Sequence, residues 1–215
     1  MLRGKISSIF LDVDGTLSDD ISWLKITESL GASKEKHISL FEKLKRGQIN
    51  YEDAKIKLIN LLQKTGNANQ KFMEKTYRSW NLRQDANEII DYLKKNYLVC
   101  LISGATDLYV QTVAEKLGVP DWFANTELIF DSKGNLIDFI YFQNQAEKKH
   151  EQFKEYIKKY KISQSKCAVI GDGDSDIVLF KELKYGIEVN EFPHSELQKL
   201  AWKSVRKLID LKEIF

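Results

Sequence analysis

The stretch that most constrains this chain runs from Ile6 to Thr16. Ile6, Ile9, Phe10, Leu11 and Val13 form the pattern of a strand buried on both faces, as in parallel sheets. Asp12 and Asp14 stand one residue apart at its far end, followed at once by Gly15-Thr16. An unpaired carboxylate inside such a strand is very costly. At the C-terminal end it is tolerated, because in open α/β sheets that end faces a ligand crevice. Asp12 is thus placed to bind or react.

Downstream of Thr16 the pattern changes. From about Ile21 to Leu82 the chain reads as amphipathic helices, with Leu40, Phe41 and Leu44, then Ala54, Leu58, Ile59, Leu61 and Leu62, at helical spacing. Ser33 and Asn50 are expected N-caps. No strand-like run interrupts this block.

From Gln84 helices and strands alternate. A helix over about 85–95 leads into the apolar run Tyr97–Gly104. A second, over about 106–117, stops at Gly118 with Pro120 beyond it. Two β-like runs, 126–131 and 136–142, flank Ser132-Lys133-Gly134-Asn135 and predict a hairpin. A helix over about 145–160 precedes the strand-like Cys167–Asp172. A helix over about 175–183, a strand over 185–189 and a short helix from near His194 complete the chain. Repeated strand–helix units predict an α/β fold: a Rossmann-like, three-layer, doubly wound and mostly parallel sheet. The domain expectation is a core made of residues 1–17 and 83–215, with a small all-helical cap, residues 18–82, inserted after the first strand.

Bulk properties exclude several classes. With 33 Lys and Arg against 31 Asp and Glu the net charge is +2, which gives no electrostatic case for a polyanion partner. Lys43–Arg46 and Lys158–Lys161 alternate with apolar residues and read as solvated helix faces, so no nucleic-acid partner is expected. No run is long enough to span a bilayer and no signal peptide is evident, so a cytoplasmic protein with no membrane partner is expected. Cys100 and Cys167 each sit in an apolar run, as buried free thiols rather than a disulfide or metal pair. Oligomeric state has no signal.

Three of the apolar strands end in polar clusters: Asp12/Asp14, Ser103-Gly104, and Gly171-Asp172-Gly173-Asp174-Ser175-Asp176. If the strands are parallel neighbours, all three meet at one sheet edge. Asp12, Asp14, Asp172 and Asp176 then crowd one crevice. Like charges about 4 Å apart repel by roughly 4 kcal/mol at an effective dielectric near 20, so the cluster calls for a cation. An all-oxygen ligand set suits Mg²⁺.

Asp12-Val13-Asp14-Gly15-Thr16 resembles the D-x-D-G-T motif of the haloacid dehalogenase-like superfamily, and three further motifs follow in order over essentially the whole chain. Leu101-Ile102-Ser103-Gly104 resembles the second, and Gly171–Asp176 the fourth, G-D-G-x-x-D. The third is a lysine on the helix before the last motif strand. Lys148 and Lys149 adjoin there, and the spacing of 23 residues to Asp172 found in phosphoserine phosphatase-like members selects Lys149.

The resemblance implies that Asp12 is the nucleophile of an aspartyl-phosphate mechanism and Asp14 the general acid/base. Ser103, Gly104 and Lys149 bind phosphate, Asp12, Asp14 and Asp172 hold Mg²⁺, and Asp176 supports the metal shell and the lysine. A carboxyl at Asp14 argues for phosphate esters, because a halide leaves without a proton and the family's dehalogenases lack an acid there. The expected protein is a Mg²⁺-dependent hydrolase of small-molecule phosphate monoesters. A phosphotransferase or mutase using the same nucleophile, or a non-catalytic phospho-ligand module, are the alternatives.

The overall layout and Gly47–Glu52 are most similar to phosphoserine phosphatases. Those enzymes usually have D-x-D-S-T, and read their substrate with a glutamate and a cap arginine. The corresponding positions here are Ile21 and Leu58, with Asp19, Asp20, Lys55 and Lys57 as the nearby charges. Weak or absent phosphoserine turnover is therefore expected, since an ammonium and a carboxylate would be left unpaired.

Overall fold

A computed structural model describes residues 2–190 and 195–215. Strand β1 (Ser8–Leu11) is followed by four helices, α1 (Ser22–Ser29), α2 (Lys34–Lys45), α3 (Tyr51–Gln63) and α4 (Gln70–Ser79). Then come α5 (Ala86–Lys94), β2 (Leu98–Thr106), α6 (Asp107–Leu117), and strands β3 (Asp121–Phe130) and β4 (Leu136–Tyr141). Helix α7 (Gln145–Tyr160), β5 (Cys167–Gly171), α8 (Ile177–Glu182), β6 (Tyr185–Val189), α9 (Ser195–Leu200) and β7 (Lys203–Val205) complete it. The sheet order is β4-β3-β2-β1-β5-β6-β7, with only β3 and β4 antiparallel. This is the doubly wound α/β fold expected.

Strand β1 lies between β2 and β5, with Leu11 opposite both Leu101 and Ile170. Its side chains alternate between two cores, one on each face of the sheet. Ile9 and Leu11 belong to a large cluster that continues into the helical block through Ile26, Leu62, Met73 and Tyr77. Phe10 faces the other way, with Phe153 and Tyr156 edge-on at 4.9 and 5.0 Å between ring centroids. Burying such a ring contributes on the order of 2 kcal/mol, so both layers anchor the strand that carries Asp12.

The helical block leaves and re-enters the core at one place. The Arg83 amide donates to Leu17 O at 2.9 Å, and the Arg83 guanidinium reaches Gly15 O at 2.7 Å and Asp19 at 2.8 Å. Ser33 and Asn50 cap α2 and α3 as expected, accepting from the Lys36 and Asp53 amides. Gly118 ends α6 in the left-handed region.

Several local expectations differ. Strand β1 stops at Leu11 because Val13 O accepts from the amides of Thr16, Leu17 and Ser18, curling the chain into a turn. The expected hairpin begins earlier, since β3 runs from Asp121 and its first half pairs in parallel with β2 before its second half turns to β4. A turn of 3-10 helix (Asp174–Asp176) precedes α8. Strand β7 and the 3-10 segment Leu208–Glu213 were not anticipated. The last expected helix is α9; its expected start, His194, lies outside the described residues. Cys100 and Cys167 are buried free thiols, and no described helix is long and apolar enough to cross a membrane.

Candidate active site

The carboxyl ends of β1, β2 and β5 form one edge, and the three polar clusters meet there. Asp12 stays in the sheet through its amide, which donates to Ile170 O at 3.0 Å. Its Oδ1 accepts from the Val13 amide at 2.7 Å, leaving Oδ2 on the Lys149 ammonium at 2.9 Å. Lys149, in the first half of α7, is wholly buried and also reaches Asp176 Oδ1 at 2.7 Å. Lys148, its neighbour, instead pairs with Glu151 at the surface.

Asp176 is fully engaged. Its second oxygen accepts from the amides of Asp172 and Gly173 at 3.3 and 3.5 Å, drawing the loop after β5 onto the start of α8. Asp172 is held by the Thr16 hydroxyl at 3.0 Å. Gly15, at φ +75°, lies so close that a Cβ there would strike the Asp172 carboxylate. The loops after β1 and β5 therefore touch, and glycine is needed at that contact.

Asp14 points elsewhere. Its Oδ2 accepts from both the amide and the hydroxyl of Ser22, at 2.9 and 2.7 Å, while Oδ1 is buried with no hydrogen-bond partner among the described residues. Burial pushes the Asp14 carboxyl up to about 7 against the pull of the Ser22 bonds. Burial also raises Asp172, reinforced by the neighbouring charges of Asp12 and Asp176, and raises Asp176 against the pull of Lys149. Burial alone would lower the Lys149 ammonium, but Asp12 and Asp176 reverse this and hold it above its usual range.

Asp12 and Asp176 thus share one buried ammonium. Oxygens of Asp12, Asp172 and Asp176 lie within 4.8 Å of one another. This all-oxygen set with excess negative charge fits Mg²⁺. Asp14, expected among the metal ligands, does not join the cluster through its carboxylate, which Ser22 holds.

Ser103, buried near the end of β2, accepts from the Ala105 amide at 3.3 Å. Gly104 packs beneath Gln145, whose Oε1 accepts from Asn125 Nδ2 at 2.8 Å. The register of β1 with β2 brings Ser103 and Gly104 to the same edge as Asp12.

Ser22 is a residue that the sequence reading missed. Its only signal is a hydroxyl in the first turn of a helix eight residues beyond Asp14. Three of the four charges near the substrate-reading positions are committed to other partners. Asp19 pairs with Arg83, Asp20 with Lys25, and Lys55 with Asp138 and Glu52, while Lys57 lies exposed in a groove between α2 and α3.

What this fold and edge define is a doubly wound α/β protein with a cluster of carboxylates around one buried lysine. The chain belongs to the haloacid dehalogenase-like hydrolases, whose family model matches residues 6–183. It is similar to the phosphoserine phosphatase of Methanocaldococcus jannaschii, 28% identical over 216 residues that cover 99% of this chain and 98% of that protein. It also matches a solved phospho-aspartyl intermediate analogue of phosphoserine phosphatase, with 25% identity, a TM-score of 0.76 and coverage of 98% and 99% of the two chains. A hydrolase of the same family from Salmonella enterica serovar Typhi shares the fold at a TM-score of 0.78 and 14% identity, over 96% of this chain and 71% of that one.

Proposed function

We propose that the chain is a Mg²⁺-dependent phosphatase of small phosphate monoesters, working through an aspartyl-phosphate on Asp12. The observation that carries this reading is the separation of two carboxylates in one crevice: Asp12 on the Lys149 ammonium, Asp14 apart on Ser22. Groups placed so differently suit different roles. Asp12 Oδ attacks phosphorus, and the ester oxygen leaves with a proton from Asp14. Asp14 then takes a proton from the water that attacks the aspartyl-phosphate, releasing free phosphate and restoring Asp12.

Lys149, the Ser103 hydroxyl and the Gly104 amide hold the phosphoryl oxygens. Asp12 and Asp172 would hold Mg²⁺, and Asp176 would fix Lys149 and the loop beneath it. When bound, the ion neutralises charge developing on the phosphoryl oxygens. Residues 18–82 act as a cap over the crevice, excluding water from the reacting centre. Buried free thiols at Cys100 and Cys167 suit a reducing cytoplasm.

The substrate is a small monoester other than phosphoserine. Ile21 is 60% exposed and Leu58 is buried, so neither reads a charged amino acid, and the nearby Asp19, Asp20 and Lys55 are paired with other residues while Lys57 faces outward. The test is phosphate release from a panel of monoesters, including phosphoserine and p-nitrophenyl phosphate, with and without Mg²⁺. Metal-dependent turnover abolished by Asp12→Asn is the expected result. Turnover that survives Asp12→Asn would refute the nucleophile, and a strong preference for phosphoserine would refute the substrate reading.

A further inference from the structure

The outer face of the helical block carries a repeat that the active site does not use. On α2, Lys36, Ser39, Leu40 and Lys43 fall at i, i+3, i+4 and i+7; on α3, Lys57, Asn60, Leu61 and Lys64 fall at the same spacing. Each set occupies one helix face. Together they line one groove of about 440 Å³. Leu40 and Leu61 are half-buried against the core, and the four lysines are exposed.

Three other cations on α2 and α3 or at their ends have acid partners. Lys34 pairs with Glu28, Arg46 with Glu42, and Lys55 with Glu52 and Asp138. Among the described residues the four groove lysines have no such pairing. The surface is thus an apolar floor rimmed by uncompensated positive charge.

We propose that this groove docks an acidic amphipathic segment of a partner protein. The occupant is a helix that sets leucine-like side chains on Leu40 and Leu61 and carboxylates against the lysines. The two lysines on each helix stand about 10 Å apart along its axis, which a pair of glutamates seven residues apart on an opposing helix matches. The volume has room for one or two large apolar side chains. A second copy meeting through the same face would set eight lysines against one another. A flat bilayer does not enter a concave groove, and no aromatic ring among the lining residues offers a stacking platform for bases.

The probe is a labelled 15-residue helical peptide with two leucines four apart, placed between glutamates seven apart. The full chain is titrated at low salt and followed by fluorescence anisotropy. Saturable binding with Kd on the order of 10 to 100 μM is expected. It should weaken at least tenfold in ~0.5 M salt, at least tenfold for Lys43→Glu/Lys64→Glu, and as much when the leucines become alanine. That double variant should hydrolyse p-nitrophenyl phosphate at the parent rate, which shows that it folds. No saturation by 1 mM peptide overturns the proposal, as does equal affinity for the alanine peptide, which would mean charge attraction alone. Tighter binding of anionic phosphatidylglycerol vesicles or a single-stranded oligonucleotide than of the peptide also overturns it.

Discussion

Ser22 donates twice to a single oxygen of Asp14, through its amide at 2.9 Å and its hydroxyl at 2.7 Å, and leaves the other oxygen bare. A helix of the inserted block thereby sets the direction of a carboxylate that belongs to the core strand's end. Hydrogen bonds to a charged group are worth about 1.5–3 kcal/mol. Ser22→Ala should therefore reduce kcat about tenfold to a hundredfold with little change in KM, and Ser22→Thr should restore most of it. Equal kcat in the parent and the alanine variant would show that Asp14 needs no such support.

Lys149 is a wholly buried cation paired with Asp12 and Asp176, and removing it leaves buried charge uncompensated. Breaking a buried pair in this way costs about 3–5 kcal/mol. For a chain of this size Lys149→Met should lower Tm by about 6–20 °C, at roughly 2–4 °C per kcal/mol, and abolish phosphate release. Scanning calorimetry checks the first outcome. An unchanged Tm would mean that the carboxylates do not depend on the ammonium.

Mg²⁺ should stabilise the fold, since the cation relieves crowding among Asp12, Asp172 and Asp176. At a concentration a hundred times its Kd the gain is about 2.7 kcal/mol. Thermal melts with and without the ion should show an upward shift that Asp172→Asn removes. A shift of equal size in that variant would place the ion elsewhere.

His37 offers a pH signature remote from the crevice. It is buried at the contact of α1 and α2, with Nδ1 on the Thr27 hydroxyl at 2.8 Å, and burial lowers its imidazole from an ordinary 6.5 to about 4. Between those values the unfolded chain binds a proton that the folded chain does not, so stability falls as pH falls from about 6.5 to about 4. The full effect is roughly 3 kcal/mol. Urea melts at pH 7.5 and 4.5 should show His37→Gln losing less stability than the parent. Parallel losses would exclude the imidazole as the source.

The sequence revealed strands and helices best where burial is two-sided or periodicity is long. Phe10 and Leu11 face separate cores, so β1 left an unbroken apolar run; α7 is a four-turn helix and was legible to within a residue. Asp121 and Trp122 of β3 were not legible, because this half of the strand is only partly buried and lacks alternation. Asp12, Asp172, Asp176 and Lys149 were brought together as expected, since parallel strands deliver their ends to one edge. Ser22 was not found because its role depends on how a turn of chain folds back, and local patterns do not encode that. The charges near Ile21 and Leu58 were visible, but the pairing of Asp19 with Arg83 and of Lys55 with Asp138 was a matter of tertiary geometry.

The placement of β1 between β2 and β5 also sets a timetable. Leu11 pairs with Leu101 on one side and Ile170 on the other, so β1 waits for partners made about ninety and a hundred and sixty residues later. Long-range parallel pairing of this kind is slow and leaves hydrophobic strands open in the interval. The Asp12 carboxylate is made well before the Lys149 ammonium that it pairs with and the second acidic loop. A nascent or truncated chain ending before Asp172 therefore lacks the loop that meets Gly15 and Thr16, and the acidic cluster closes only once β5 and that loop have been made.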